Sequence, residues 1–472
     1  MELNDFQKFG HQLVDWMVEY LKNVEKYPVK SQVAPKEIIN QLPLAAPIKG
    51  ENFQDIFTDF EKIIIPGITH WQSPNFFAYF PANSSYASML AEMLMTTLGA
   101  QCMSWVTSPA ATELEERVME WLRDMIGLPK DFVGVIQDTA STSTTCSLLT
   151  AREKLTNYEI NSAGMNDKGI LTTYCSTETH SSIEKAVKIV GTGKENLRKI
   201  TVDKNYAMQA QSLQEAIEAD ITNSMKPMAV VATIGTTGST AIDPLRQIGE
   251  ICAKYNIWLH VDAALAGTAL LLPDFRWMIE GIEYADTFVF NPHKWMFTNF
   301  DCSAYFIKDP EALVQTFEIL PEYLKTRAEG VKNFRDWGLQ LGRRFRALKL
   351  WFVIRNFGIE GLQQKVKFHI DLAKELSQKI EKSPDFELLA PVPLNTLCFR
   401  YHPSSIDDNL ELNRLNEELL YRLNETGKLY MTHTKLNGNY TLRLVTGQTY
   451  TQKKHVDNAW LLLQEEAQKL SI

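Results

Sequence analysis

Between Phe132 and Ile307 short apolar runs alternate with stretches of helical spacing, and that alternation restricts the possible folds more than any other feature of the chain. The runs are Phe132 to Ile136, Ile170 to Tyr174, Met228 to Ile234, Ile257 to Val261, Thr287 to Phe290 and Ser303 to Ile307. Strands separated by helices pair mostly in parallel, because a parallel neighbour needs a long crossover. A largely parallel α/β sheet is therefore expected here.

The flanks read differently. Phe6, Phe9, Leu13, Trp16, Met17, Tyr20, Leu21 and Val24 recur at helical spacing, giving a helix with one broad apolar face that needs a partner. A stretch punctuated by Pro28, Pro35, Pro43 and Pro47 follows and suits an extended segment laid over another surface. That surface is either the chain's own or a second copy's. Ser108-Pro109 opens a further helix, with Ser108 as cap, Glu113, Glu115 and Glu116 near its positive end, and Gly127 as its stop. Beyond about residue 340 come two long helical patterns, then strand-like Leu397 to Tyr401, Leu429 to Thr432 and Tyr440 to Val445. The expected division is 1–85 as a helical and extended segment, 86–357 as the large α/β domain and 358–472 as a small α+β domain.

Bulk properties exclude several classes. Hydrophobic residues at 45% and charged residues at 22% over 472 positions fit a globular chain. A net charge of -9 argues against a nucleic-acid surface, and Arg343-Arg344-Phe345-Arg346, the densest basic spot, is one helical turn. The six cysteines contain no C-x-x-C pair, so buried thiols are expected rather than a zinc ribbon or a disulfide framework. The N-terminus lacks the basic-then-apolar order of a signal peptide, no long uncharged apolar run occurs, and the cytoplasm is the expected compartment.

Chemistry collects after the apolar runs. Asn291-Pro292-His293-Lys294-Trp295 follows Phe288-Val289-Phe290, so Lys294 emerges where open α/β sheets form ligand sites. Asp262, in His260-Val261-Asp262-Ala263-Ala264, follows another run, with the small Ala264 two positions on. A buried carboxylate can keep a pyridine nitrogen protonated, which lets the ring accept the electrons of a carbanion. Gln137-Asp138-Thr139-Ala140-Ser141 leads into a helix expected from about Thr142, where hydroxyls and free N–H groups suit an anion such as a phosphate. His180 opens another helix and offers an imidazole for stacking or proton transfer. His260 and Asp262 also form an H-x-D pair, but no third ligand stands at suitable spacing and no metal is expected.

Together with the stretch His70 to Pro81, Ser108-Pro109, the Gly235-Thr236-Thr237 turn and Leu341 to Arg346, these fragments resemble the fold type I, group II decarboxylases that depend on pyridoxal 5′-phosphate (PLP), most of all the aromatic-L-amino-acid decarboxylases. The similarity runs over nearly the whole length. It implies a fold type I α/β architecture, with a mainly parallel seven-stranded sheet domain, an N-terminal helical extension and a small C-terminal α+β domain. It also implies PLP as cofactor, carboxy-lyase activity and a homodimer. By the same resemblance Lys294 carries PLP as a Schiff base, Asp262 pairs with the ring nitrogen, and Ala264 with His180 sandwiches the ring. Ala140, Ser141, Asn291 and His293 contact the phosphate, Thr237 joins the cofactor set, and Phe300 reaches a neighbouring subunit's site. Trp71, Tyr79, Phe80 and Pro81 correspond to an aromatic substrate wall, with Gln101 and Met103 also on the substrate side and Arg443 near the site.

Several positions depart from the family pattern. Gln101-Cys102-Met103 replaces bulkier apolar groups, Ala82 replaces a hydroxyl residue, and Gly358 resembles the glycine of indole-accepting plant relatives. The family's catalytic loop corresponds to about Leu324 to Trp337, where a tyrosine ahead of a basic-x-Trp step supplies a proton to the carbanion. Anchoring on Arg335-Asp336-Trp337 puts Phe334 there, and phenylalanine has no proton to give. Tyr323 belongs to the preceding block. The leading expectation is decarboxylation of tryptophan, 5-hydroxytryptophan, tyrosine, DOPA or phenylalanine to the amine. The alternative is an oxygen-dependent aromatic aldehyde synthase, with an aminotransferase less favoured.

Overall fold

The computed structural model describes residues 1–166, 168–319 and 330–470. Its large sheet contains β1 (Val133–Gln137), β2 (Leu171–Ser176), β3 (Leu197–Ile200), β4 (Lys226–Thr233), β5 (Trp258–Asp262), β6 (Thr287–Phe290) and β7 (Ser303–Ile307), in the order β1-β7-β6-β5-β4-β2-β3. All the expected runs are present. β3 was not expected, because Leu197-Arg198-Lys199-Ile200 has only two apolar residues and lies at the sheet edge. β2 through β6 pair in parallel, while β7 runs against both β6 and β1. The carboxyl ends of β1, β2, β4, β5 and β6 consequently share one edge of the sheet.

The helix Ala140–Leu155 begins earlier than Thr142 because Thr139, in extended conformation, is its cap and accepts from the Thr142 N–H at 3.4 Å. Its buried face is rich in small hydroxyl residues, Ser143, Thr144, Ser147 and Thr150, which let a helix lie close to a sheet provided each hydroxyl is satisfied. Thr150 donates to the Cys146 carbonyl, and Ser147 meets Thr287 at 2.7 Å. The helix Pro109–Ile126 stops at Gly127, whose φ of 76° suits a residue without Cβ. Two expectations for this helix fail. Ser108 makes no side-chain cap, its carbonyl accepting from Thr112 instead, and Glu115 turns inward to a buried arginine rather than serving the helix dipole.

The chain divides into two compact units. One comprises residues 82–373 and 390–396 and contains the large sheet; the other comprises 1–81, 374–389 and 397–472. In the latter, Trp16 of the helix Leu3–Asn23 packs on Phe60 at 5.3 Å, and Tyr20 meets His70 at 2.8 Å. Its sheet has the order β10-β11-β9-β8, with β8 at Phe386–Leu388, β9 at Thr396–Tyr401, β10 at Thr432–Leu436 and β11 at Asn439–Val445. The strand expected at Leu429 to Thr432 begins only at Thr432, and Tyr430 instead makes an isolated bridge to Phe76.

The two long helical patterns are two helices within Arg346–Lys382, separated by Gly358, whose φ of 65° and ψ of 170° are not helical. An added Cβ at Gly358 meets nothing within 4 Å among the described residues, so conformation is what opposes substitution. Gly358→Ala is expected to cost about 1–3 kcal/mol through backbone strain, read as a lower urea midpoint; an unchanged midpoint would remove strain as the reason for glycine. Among the described residues no helix is long and apolar enough to cross a membrane.

Candidate active site

Parallel pairing of β5 and β6 continues past their ends and locks two turns together. The Ala263 N–H donates to the Val289 carbonyl and the Asn291 N–H to the Ala264 carbonyl, each at 2.9 Å. Asp262 is buried, and one carboxylate oxygen accepts from the Ala264 N–H at 3.0 Å. After Asn291 the chain makes a single helical turn, Pro292–Trp295, which carries Lys294 half-buried. Asn83 clamps that turn, its side chain donating to the Lys294 carbonyl at 2.9 Å and its N–H to the His293 carbonyl at 3.0 Å.

His293 is oriented by the Cys302 N–H, which donates to Nδ1 at 2.9 Å and so leaves the ring proton on Nε2. Burial, aided by Lys294, pushes its pKa down to about 3, so the ring is neutral. Phe300 packs on it at 4.7 Å while remaining 56% exposed. His180 precedes the helix Ser182–Val190 rather than opening it, and its Nδ1 accepts from the Ser182 N–H at 3.1 Å. The residue is exposed, yet enough of the ring is enclosed to lower its pKa; Asp262 opposes that shift and Lys294 adds to it, so both charges lie close enough to act on the imidazole.

Two backbone turns supply the rest of the edge. After β1, Ala140 is buried and Ser141 exposed at a helix N-terminus, where free N–H groups favour an anion. After β4, Gly235 holds φ 84°, and a Cβ there would stand 2.7 Å from Ala266. The Thr236 hydroxyl accepts from the Ala241 N–H at 3.0 Å, and Thr237 is exposed.

The other expected site residues belong to other elements. Phe334 is in a short turn, Phe334–Asp336, only 2% exposed, inside the core cluster of the large unit. Its ring packs on Trp337 at 5.4 Å and on the Arg343 guanidinium at 4.8 Å. Gln101 and Met103 engage the same stretch: Gln101 Oε1 accepts from the Arg343 N–H at 2.7 Å and the Met103 carbonyl from the Arg335 N–H at 2.8 Å. Tyr323 and residues 324–329 of the expected loop fall outside the described residues. Trp71, Tyr79, Phe80 and Pro81 belong to the other unit. There Trp71 stacks on Tyr79 at 5.8 Å, Phe80 lies over Arg443 at 4.6 Å, and the Tyr79 hydroxyl meets that of Tyr430 at 3.1 Å. Asn83, Cys302 and Tyr430 were not singled out from the sequence, since no local spacing joins them to partners up to 351 positions away.

PLP fits this edge on the chain's own evidence. The Asn291 side-chain amide buries an atom assigned as Oδ1 that has no hydrogen-bond partner among the described residues, a donor in the flipped assignment and one suited to a phosphate. A helix N-terminus offers N–H groups to the same anion, the Lys294 amine is the kind of group that condenses with an aldehyde, and the buried Asp262 carboxylate suits a basic ring nitrogen. Among the described residues no group of three or more His, Cys, Asp or Glu is placed to hold a metal ion. The fold and this edge define a fold type I PLP-dependent enzyme. Residues 35–402 match the pyridoxal-dependent decarboxylase conserved domain, and the chain belongs to that family of PLP-dependent carboxy-lyases. It is 44% identical to phenylacetaldehyde synthase of Arabidopsis thaliana, covering 100% of this chain and 97% of that protein, and 41% identical to tyrosine decarboxylase 3 of Petroselinum crispum, covering 100% and 93%. The crystal structure of Oryza sativa TDC with PLP and tryptamine is similar at a TM-score of 0.97 and 32% identity, covering 100% of this chain and 99% of that one.

Proposed function

We propose that the chain removes the α-carboxylate of an aromatic L-amino acid and releases the amine. The observation that carries this reading is the pair of strand-end turns locked by the Asn291–Ala264 hydrogen bond, which holds the Lys294 turn beside the Asp262 turn. Bound there, PLP supplies the electron sink for the pair left when carbon dioxide departs. Lys294 holds the cofactor covalently, Asp262 keeps the ring nitrogen protonated, and His180 with Ala264 flanks the ring. Ala140, Ser141, Thr237, Asn291 and His293 hold the phosphate side. His180 or a water protonates Cα where Phe334 has no proton to give.

Trp71, Tyr79, Phe80 and Pro81 favour a flat aromatic side chain through stacking and area burial, with Gln101 and Met103 as further substrate contacts. Relatives acting on tyrosine, as named, and crystallised with tryptamine support an aromatic substrate. A homodimer fits the helix Tyr86–Leu98, which leaves Tyr86, Leu90, Leu94 and Leu98 exposed on one face for a second copy, and Phe300, exposed beside His293, is the residue we assign to the partner's site. Six buried free thiols fit a reducing cytoplasm.

Phe334 and the Arabidopsis relative favour a second reading, in which dioxygen and water are consumed and aldehyde, carbon dioxide, ammonia and hydrogen peroxide are released. Product analysis across aromatic amino acids, in air and without oxygen, separates the two. Amine equal to carbon dioxide, with no peroxide, is the expected result; peroxide equal to carbon dioxide would overturn it. Wherever peroxide forms, Phe334→Tyr is expected to raise the amine share.

A further inference from the structure

His260 belongs to the strand that bears Asp262, yet the reaction proposed above gives it no task. It is fully buried, and threonine hydroxyls occupy both ring nitrogens: Thr144 lies 3.0 Å from Nε2 and Thr287 lies 2.8 Å from Nδ1. Thr144 stands in the second turn of the Ala140 helix; Thr287 opens β6 and is the register partner of His260. The Thr287 hydroxyl also meets Ser147 at 2.7 Å, and Ser147 accepts from the Trp258 indole N–H at 2.9 Å.

An indole N–H donates and cannot accept, so it sets a direction. With Trp258 donating to Ser147, the order that keeps every proton inside the chain sends the serine proton to Thr287, the Thr287 proton to Nδ1, and the remaining ring proton from Nε2 to Thr144. The reverse order brings two donors to the Ser147 oxygen, which has lone pairs for both, and turns the serine proton out of the chain toward the hydroxyl of the buried Tyr305 beside Ser147 and Thr287; the ring tautomer tells the two orders apart. Burial pushes the His260 pKa down to about 4 against the pull of Asp262, which keeps the ring uncharged. An imidazolium two residues from Asp262 would compete with the ring nitrogen for the carboxylate's charge.

We propose that His260 is a positioning residue for the cofactor site, held as the neutral Nε2–H tautomer by a one-way chain from Trp258 through Ser147, Thr287 and His260 to Thr144, which ties the phosphate-side helix to the strands leading to Asp262 and Lys294. The proposal rests on the cofactor reading above and adds what keeps its parts in register. It also explains why both ring nitrogens are closed to a metal.

The test uses holoenzyme labelled with 15N-histidine, with His260→Gln to assign the signals. Nitrogen shifts should report a protonated Nε2 and a bare Nδ1 near neutral pH; an Nδ1–H tautomer or an imidazolium overturns the proposal. Thr144→Val and Thr287→Val keep side-chain volume; the first breaks the link at Nε2, the second the links of the Thr287 hydroxyl to Nδ1 and to Ser147. Each should weaken PLP retention about fivefold or more, a buried hydrogen bond being worth about that factor. The double variant should lose no more than either single one, because the two threonines act through one imidazole. Losses that multiply to about 25-fold would mean two independent packing defects and overturn the chain. Unchanged retention in Asp262→Asn and Ser141→Ala would overturn the cofactor reading itself, and the proposal with it.

Discussion

Lys294→Ala is expected to lower turnover about a thousandfold or more and to abolish the visible absorbance of the cofactor bound to an amine. The size follows from what the side chain does. On the proposed reading it would hold the cofactor covalently and exchange with the incoming amino group, so its loss would remove an activated attachment. The turn that carries it should survive, because Asn83 holds it through the Lys294 and His293 carbonyls, which the substitution leaves in place. PLP should accordingly still bind, weakly and without the covalent band. Stopped-flow turnover and an absorbance scan of the purified variant check both parts. Activity within tenfold of the parent would mean that another residue carries the cofactor.

The second large effect concerns stability. Arg343 and Glu115 form a buried pair, 2.6 Å apart at 5% and 3% side-chain exposure. The guanidinium also donates to the Ile136 carbonyl at the end of β1. Its plane underlies Phe334 and its own backbone holds Gln101, so one ion pair supports the 101–103 segment, a sheet edge and the Phe334 turn together. Removing one partner leaves an uncompensated buried charge, and Glu115→Ala is expected to cost about 3–5 kcal/mol. The double change Glu115→Leu with Arg343→Met, which leaves no charge behind, should recover most of that loss. Urea unfolding of the three proteins decides the matter: a loss below about 1 kcal/mol for Glu115→Ala would show the arginine satisfied by carbonyls alone. If the pair holds the turn, Glu115→Ala should also make the Phe334 region more open to proteolysis.

Much of the site was readable because it obeys local rules. Lys294, Asp262, His180 and the Ala140 turn each follow an apolar run, and in a parallel sheet every run ends on the same edge, so the order of motifs along the chain already placed them together. β3 escaped notice because an edge strand with two apolar residues carries almost no hydrophobic signal. Glu115 was misread for a related reason. Three glutamates near a helix start look like a dipole device, and nothing in their spacing says that one of them meets an arginine 228 positions later.

The sequence determined that Lys294 would stand at a strand end beside a carboxylate, because strand periodicity and turn chemistry are encoded within a few residues. It also determined that position 334 carries no proton, since that is a matter of side-chain identity. Tertiary structure decided where that ring goes. Phe334 lies in the core between Trp337 and Arg343 because an apolar ring gains more from burial and from a paired guanidinium beneath it than from exposure at an open edge. It likewise decided that His260 is no ligand: two threonines, one on a helix and one on the next strand, close its nitrogens, and only the folded sheet brings them there.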